Sequence, residues 1–185
     1  YGYLAGTDEQ RLSDLNAAIA DPRIDAVWCL RGGYGMTRIL DQVDFAPLRK
    51  RPKAIIGFSD ITALLNAAQV EAGLVTFHAP MARAPLTPFS RWHFDRVLTT
   101  VNPAGRLGRV APPADVLVPT SGRIVTLVPG QATGPLVGGN LTLLQCLIGT
   151  KYFPDLSGTL LFIEDVGEDL YSVDRMLAQL RSVGA

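Results

Sequence analysis

The segment 53–62, KAIIGFSDIT, constrains the fold most, because an apolar run passes directly into a serine and then into a helix-like pattern. Residues 54–58 have the length and composition of a buried strand, and the helical pattern covers 60–72. Gly57 leaves the backbone room for a sharp turn at the end of that strand. This junction predicts an α/β fold in which Ser59 lies at one edge of the sheet.

The local sequence leaves two interpretations of Ser59. A serine on a sharp turn between a strand and a helix can be a nucleophile, with the N–H of Asp60 facing the group that is attacked. The sequence GFSDI lacks the second glycine of the G-x-S-x-G nucleophile elbow. Alternatively, Ser59 caps the following helix and its hydroxyl accepts a first-turn N–H. Local sequence alone favours the cap.

The amino-terminal half alternates strands and helices. The predicted strands are 24–30, 54–58 and 74–79, and the predicted helices are 8–20, 36–42 and 60–72. Alternation of strands and helices in this way builds a parallel sheet covered by helices on both faces. Ligands of such sheets bind at the carboxyl ends of the strands, where Ser59 and the glycine turn at 31–35 both lie.

The composition changes in the middle of the chain, where residues 102–131 are rich in Pro and Gly. Further elements flank this stretch: the predicted strands are 123–128 and 159–163, and the predicted helices are 92–100, 140–148 and 171–181. The predicted domains are an α/β domain carrying Ser59 (1–102), a linker (103–122) and part of a second, smaller α/β domain (123–185).

Charge and hydropathy exclude several classes of protein. The 17 basic and 17 acidic side chains cancel, so no strong field attracts nucleic acid or anionic lipid. No apolar run approaches the ~20 residues of a membrane span, and the first residues show no signal-peptide pattern. We therefore expect a cytoplasmic globular protein without nucleic acid or membrane as a partner. Cys29 and Cys146 lie in apolar stretches, which predicts buried free thiols.

The glycine turn 31–35, RGGYG, is the second candidate feature. Its glycines would let backbone N–H groups approach an oxyanion or a phosphate, or would serve only tight packing. The dinucleotide pattern G-x-G-x-x-G is absent because position 38 is arginine. Arg31 either binds a substrate carboxylate or forms a structural salt bridge.

Polar residues in the second half are the third feature. The segment 162–168, FIEDVGE, runs from an apolar strand into acidic residues. Glu164 and Glu168 either serve an active site or are solvated groups that complement the dipole of the following helix. Asn140, at the start of a predicted helix, either lines a cleft or caps that helix.

Six motifs in order resemble the LD-carboxypeptidase family of serine peptidases, which includes muramoyltetrapeptide carboxypeptidases and microcin C self-immunity peptidases. The motifs are YLAGTD (3–8), RGGYG (31–35), IGFSDIT (56–62), TFHAPM (76–81), GGNLT (138–142) and LFIEDVGE (161–168). The resemblance implies a flavodoxin-like or class I glutamine amidotransferase-like fold with a nucleophile elbow. It also implies a cytoplasmic hydrolase of peptidoglycan recycling that releases terminal D-alanine from murein tetrapeptides, without a cofactor or metal.

The resemblance assigns roles to individual residues. Ser59 becomes the nucleophile, and Glu164 becomes the carboxylate of a Ser-His-Glu triad. The oxyanion hole would use the N–H of Asp60 and a second N–H from Gly32 or Gly33. The candidates for substrate binding are Arg31, Tyr34 and Asn140.

The family's catalytic histidine is expected several tens of residues after the glutamate, in a Gly-His-Gly type loop. Only His78 and His93 occur in these 185 residues, and neither matches that position. His78, in FHAP where the family usually has His-Gly-Pro, is expected to be structural or pocket-lining, and His93 structural. We therefore expect an internal portion of a longer enzyme, inactive by itself because a triad member is missing.

The sequence leaves other functions open. A microcin C-type peptidase would cleave an aminoacyl nucleotide and stack an aromatic side chain, here Trp92, on the base. A non-catalytic binding module would keep the crevice without the histidine. An amidotransferase-like or flavodoxin-like binder would need a cysteine nucleophile or a phosphate loop, whereas Cys29 lies within a predicted strand. The expected partner is a small peptide substrate, and a homodimer is among the assemblies that the sequence allows.

Overall fold

The computed structural model describes residues 2–108 and 124–185. Its residues form two compact units, one made of the chain up to residue 84 together with 134–185, and one made of 85–133. The strands are β1 (Ala26–Trp28), β2 (Ala54–Gly57), β3 (Phe77–His78), β4 (Leu136–Asn140) and β5 (Leu160–Glu164). The helices are α1 (Asp8–Ala20), α2 (Met36–Ile39), α3 (Ala46–Lys50), α4 (Thr62–Ala72), α5 (Pro88–Leu98), α6 (Leu141–Leu147) and α7 (Leu170–Ser182).

The strands form two parallel sheets. In the first, β2 lies between β1 and β3, with Ile56 paired to both Trp28 and Phe77. In the second, β4 pairs with β5 from Leu136 to Asn140, so that Asn140 lies beside Glu164. The prediction of an α/β fold with parallel strands and flanking helices is confirmed. In each sheet the carboxyl ends of neighbouring strands meet at one edge, which brings their terminal side chains together.

Helix α4 occupies the centre of the core. It packs against β2, β4 and α6. Most of its side chains are buried because apolar residues occur on nearly every side of the helix: Ala63, Leu64, Ala67 and Ala68 have no exposed surface. Full burial of a side chain such as leucine contributes roughly 1.5–3 kcal/mol. The helix that follows Ser59 is therefore anchored by packing from Thr62 to Ala68.

Helix α1 holds the glycine turn at 31–35 through a hydrogen bond from Arg11. Thr7 and Gln10 form the expected capping box at its start. Arg11 donates from Nη1 to the carbonyl of Gly35 at 3.1 Å and from Nη2 to Asp8 at 2.6 Å. Hydrogen bonds from Arg38 and Arg11 hold the pKa of Asp8 at about 2. The turn at 31–35 is thus tied to the first turn of α1.

Several predicted elements differ in extent. Strands β1 and β3 are shorter than 24–30 and 74–79, although the Cys29 N–H still donates to the carbonyl of Ile56 at 3.0 Å. The predicted strand 123–128 is wrong over 124–128, which are irregular and exposed. Position 123 lies outside the described residues. Apolar β-branched composition alone does not make a strand when no neighbouring strand pairs with it.

The linker prediction falls mostly on residues that are not described, and the domain division stays a prediction. Both cysteines are free. Cys29 is partly buried, but Cys146 is exposed, so the expected burial of Cys146 is wrong. Within 2–108 and 124–185, no helix has the length and apolar character required to cross a bilayer.

The unit 85–133 contains helix α5. It begins at Pro88 after the N-cap Thr87, four residues earlier than the predicted start at 92. His93 lies against the rings of Phe89 and Trp92, at centroid distances of 4.4 and 4.6 Å. This environment agrees with the structural role expected for His93.

Candidate active site

Ser59 adopts a strained backbone at the junction of β2 and α4. Its φ is +59°, and in the part of the chain that the structure describes no other non-glycine residue has a positive φ. This conformation costs on the order of 1–3 kcal/mol and persists only where the surrounding structure enforces it. Ser59 opens a short 3₁₀ turn, Ser59–Ile61, and the N-cap of α4 is Ile61. The interpretation of Ser59 as a helix cap is therefore wrong.

The glycine turn touches Ser59 directly. A Cβ atom on Gly32 would lie 3.0 Å from the Cβ and 3.2 Å from the Oγ of Ser59. Such distances are shorter than side chains normally tolerate, so only glycine lets the turn approach the serine this closely. The two strand ends that the sequence predicts at one edge of the sheet do lie close together.

Asp60 links the same two turns through its side chain. It is only 5% exposed, and its Oδ2 accepts the backbone N–H of Met36 at 2.9 Å. Burial raises the pKa of Asp60, while hydrogen bonds from the backbone of Met36 and Gly35 and the charge of Arg11 oppose the rise. The carboxylate therefore holds the end of the glycine turn against the turn that carries Ser59.

A cleft of about 490 Å³ opens beside this contact. Its walls include Arg31, Gly32, Tyr34 and Asp60. Tyr34 is 54% exposed, and Arg31 is exposed as well. Cys29 also lines the cleft, but burial raises the pKa of its thiol to about 11, which keeps it protonated at neutral pH. The cleft thus presents a cation and a phenol rather than a thiolate.

Asn140 and Glu164 form a second cluster at the carboxyl end of β4 and β5. Asn140 Nδ2 donates to Glu164 Oε2 at 3.1 Å. Asn140 Oδ1 accepts the N–H of Leu143 at 3.2 Å and so caps α6. The capping interpretation of Asn140 is confirmed, and the same side chain also faces Glu164. Glu164 itself is partly exposed.

Thr62 and Asn66 connect this cluster to α4. The backbone N–H of Asn140 donates to Thr62 Oγ1 at 3.0 Å. Asn66 Nδ2 donates to the carbonyl of Thr62 at 2.8 Å and to that of Gly138 at 3.0 Å. Sequence reasoning missed both residues. The available signal was two polar residues spaced i, i+4 among the apolar residues of the first half of the helix, which marks a polar contact inside a core.

His78 lies between the ring of Phe58, which follows β2, and the ring of Phe162 in β5. Its ring contacts Phe162 edge-on at a centroid distance of 5.1 Å and Phe58 at 5.9 Å. Burial lowers the pKa of His78, and the charge of Glu164 opposes that shift. Among the described residues, none hydrogen-bonds its buried Nδ1. This packing agrees with the expected structural or pocket-lining role.

The family profiles match both ends of the chain. Residues 1–79 match the LD-carboxypeptidase N-terminal domain, and residues 133–185 match the LD-carboxypeptidase C-terminal domain. The segments that carry Ser59 and Glu164 fall within these two matches. Residues 31–35 belong to the first and Asn140 to the second.

Relatives with curated names are similar over nearly the whole chain. A probable murein peptide carboxypeptidase of Bacillus subtilis is 42% identical and covers 100% of this chain. A murein tetrapeptide carboxypeptidase of Pseudomonas aeruginosa is 40% identical and covers 97% of it. The alignments include 56% and 58% of those proteins, so this chain spans just over half of their length.

Solved structures show the same fold. A muramoyltetrapeptide carboxypeptidase from Oxalobacter formigenes is 34% identical, with a TM-score of 0.79 over 100% of this chain and 59% of that one. An MccF-like protein from Bacillus anthracis is 29% identical, with a TM-score of 0.83 over 98% and 60%. MccF in complex with glutamyl sulfamoyl guanosine is 25% identical, with a TM-score of 0.74 over 95% and 58%. Both domain profiles and the relatives that are at least 40% identical indicate the same family. The chain therefore belongs to the LD-carboxypeptidase family.

Proposed function

We propose that the full-length protein is a serine-type LD-carboxypeptidase that releases terminal D-alanine from cytoplasmic murein tetrapeptides. The bond cleaved joins the L-centre of a diamino acid to D-alanine. The observation that carries the proposal is Ser59 at φ +59° on the strand-to-helix turn, in contact with Gly32. A strained serine on a sharp strand-to-helix turn is the arrangement of a nucleophile elbow.

The proposed reaction proceeds through an acyl-enzyme. Ser59 Oγ attacks the scissile carbonyl while a histidine from outside these 185 residues takes its proton. The negative oxygen of the tetrahedral intermediate is stabilised by the N–H of Asp60 and an N–H from Gly32 or Gly33. The histidine then protonates the leaving amine of D-alanine, and water hydrolyses the ester. Glu164 orients the histidine and stabilises its positive charge.

Charge in the cleft supports recognition of a peptide terminus. Arg31 lies in the cleft wall with Tyr34, on the same turn as Gly32. A guanidinium pairs with a carboxylate through two parallel hydrogen bonds, which suits the terminal carboxylate of D-alanine. We therefore propose Arg31 and Tyr34 as substrate-binding residues, with Asn140 at the other cluster.

A second candidate is cleavage of an aminoacyl nucleotide. It is favoured by the structural similarity to MccF, which has been solved in complex with glutamyl sulfamoyl guanosine. The murein substrate is preferred because the relatives that are more similar in sequence carry murein carboxypeptidase names. Trp92, 57% exposed on α5, is the aromatic side chain proposed to stack on a nucleobase if this candidate is correct.

The two substrates can be compared directly with purified full-length protein. We expect release of D-alanine from murein tetrapeptide, slow or absent cleavage of a glutamyl sulfamoyl adenosine, and loss of both activities in Ser59→Ala. Preferential cleavage of the glutamyl sulfamoyl adenosine would show that the protein is an aminoacyl-nucleotide peptidase rather than a murein carboxypeptidase. A protein that neither cleaves a substrate nor reacts with a serine-directed phosphonate would instead be a binding module.

The same assay tests the dependence on a histidine outside the chain. We expect a polypeptide ending at Ala185 to be slower by a factor on the order of 10⁴–10⁶, because loss of a triad member leaves only binding and oxyanion stabilisation. Amidase activity close to that of the full-length protein, and abolished by Ser59→Ala, would contradict the proposed triad.

A further inference from the structure

A buried hydrogen bond joins the two halves of the candidate site. Thr62 follows Ser59 by three residues and has no exposed surface. Its Oγ1 accepts the backbone N–H of Asn140 at 3.0 Å, across 78 positions of sequence. A Cβ atom on Gly139 would lie 2.5 Å from Thr62 Cγ2, so the threonine also packs against the strand. Thr62 therefore contacts the end of β4 through both its hydroxyl and its methyl group.

The side chain of Asn140 carries this contact on to Glu164. A carboxamide has one oxygen acceptor and one nitrogen donor, on opposite sides. Because Oδ1 accepts the Leu143 N–H at 3.2 Å, Nδ2 is turned toward Glu164 and donates to Oε2 at 3.1 Å. Asn140 is thus held at its backbone and at both ends of its side chain. The orientation of the Glu164 carboxylate depends on all three contacts.

Asn66 strengthens the same connection between α4 and β4. It is 2% exposed, and its Nδ2 donates to the carbonyl of Thr62 in its own helix and to the carbonyl of Gly138 in β4. One side chain therefore ties the first turn of α4 to the strand two residues before Asn140. Buried polar groups in such a network are costly to leave unpaired, which makes the geometry well defined.

We propose that Thr62 is a positioning residue, which fixes the Glu164 carboxylate relative to Ser59 through Asn140. This inference rests on the proposed hydrolase function, because it assigns a role within that site. Removal of the hydroxyl would leave the buried N–H of Asn140 unpaired, and the end of β4 would move to find another partner. A displacement of about 1 Å at reacting groups can reduce the rate on the order of 100-fold.

Two substitutions separate the hydroxyl from the shape of the side chain. In the full-length protein, Thr62→Val keeps the branched shape and removes the acceptor, whereas Thr62→Ser keeps the acceptor and removes the methyl group. We expect Thr62→Val to lower kcat and the rate of Ser59 labelling by a fluorophosphonate about 10–100-fold, with KM changed less than about twofold. Thr62→Ser should stay within about threefold of the wild type.

A matched control loses the same kind of hydrogen bond elsewhere. Thr7→Val removes the hydroxyl that accepts the Gln10 N–H at the start of α1. We expect it to lower the melting temperature while leaving kcat and the labelling rate unchanged. A folded Thr62→Val that labels and turns over like the wild type, or Thr62→Ser as slow as Thr62→Val, would overturn the inference.

A second variant covers the case in which Thr62→Val does not fold. Asn140→Asp keeps an oxygen to cap α6 but places a carboxylate where Nδ2 faces Glu164. We expect a fall in kcat and in labelling rate of at least about 10-fold; an unchanged labelling rate would overturn the inference.

The labelling assay also separates this inference from the proposed substrate. If the wild type labels at Ser59 without releasing D-alanine, the proposed substrate is wrong, and the labelling rates of the variants still decide the role of Thr62. If the wild type does not label at Ser59, both proposals are overturned.

Discussion

The two halves of the candidate site are held by different forces. Ser59 lies between the buried strand β2 and helix α4, and α4 is packed on nearly every side by the core. Glu164 ends strand β5, where Leu161 and Ile163 are 39% and 44% exposed. Packing therefore fixes the serine, whereas the carboxylate depends on its hydrogen bond from Asn140. Substitutions around Ser59 should change stability as well as activity, whereas substitution of Glu164 should change activity alone.

The largest expected effect is on activity in the second half. Glu164→Gln keeps the size of the side chain and an oxygen for Asn140, but it removes the charge that we propose stabilises a histidine cation. We expect kcat to fall on the order of 10³–10⁴-fold, with a melting temperature within about 2 °C of the wild type. D-alanine release and thermal unfolding of the full-length protein measure the two quantities.

Glu168→Gln is the matched control for the carboxylate. Glu168 is an exposed acid of the same motif, four residues further on, and accepts a hydrogen bond from Thr142 at 3.3 Å. We expect its substitution to leave kcat unchanged. Equal losses for Glu164→Gln and Glu168→Gln would show that the general negative charge of this loop matters, rather than the carboxylate beside Asn140.

The next largest effect concerns the junction between the halves. Gly139 has φ +138°, and a Cβ there would lie 2.5 Å from Thr62 Cγ2. Gly73, which ends α4 at φ +67°, would place a Cβ with no atom within 4 Å. We expect Gly73→Ala to cost about 1 kcal/mol of unfolding free energy from backbone strain, and Gly139→Ala about 3 kcal/mol or more from strain and overlap together.

Denaturant unfolding of the two glycine variants measures this difference. The activity of Gly139→Ala should fall as well, because Thr62 and Asn140 are forced apart, while that of Gly73→Ala should not. If Gly139→Ala proves no more destabilising than Gly73→Ala, the two halves are not closely packed at this point, and the proposed role of Thr62 loses its support.

The sequence predicts most of the first half because its signals are local. An apolar strand, a glycine and a regular helical pattern around Ser59 suffice to place the junction of β2 and α4. The conformation of Ser59 itself is not local information: local preference favoured a helix cap, and contacts from Gly32 and Asp60 hold the strained turn instead.

The second half is harder to predict because its contacts are distant in sequence. The bond from Asn140 to Thr62 spans 78 positions, and nothing in either segment indicates the other. The irregular backbone at 124–128 has the same cause, since strand formation depends on a partner that local composition does not identify. Family motifs located Glu164, but the contacts that orient it come only from the three-dimensional structure.

A smaller effect isolates the backbone strain at Ser59. Ser59→Gly and Ser59→Ala both remove the hydroxyl, and only glycine adopts φ +59° without steric cost. We expect both variants to be inactive, with Ser59→Gly more stable than Ser59→Ala by about 1 kcal/mol. Chemical unfolding of the two proteins under identical conditions provides the comparison. Equal stabilities would mean that the turn relaxes to an unstrained conformation when the serine is absent.

The smallest expected effect is the contribution of His78 to the pH dependence of stability. His78 contacts both halves through Phe58 and Phe162. Burial lowers its pKa in the folded protein below the value of 6.5 expected when unfolded. As pH falls below about 6.5, the unfolded chain binds a proton that the folded protein does not, so stability is lost in this window and retained above it. Asp60 has the opposite sign, because its raised pKa makes stability fall as pH rises above 3.8.

The informative quantity is therefore the difference in unfolding free energy between the wild type and His78→Gln at each pH. We expect this difference to be constant above pH 7 and to shift against the wild type at lower pH, by no more than about 1.4 kcal/mol per pH unit. A difference independent of pH from 7 to 5 would mean that His78 is protonated as readily in the folded protein as in the unfolded chain, and that water reaches the junction of the two halves.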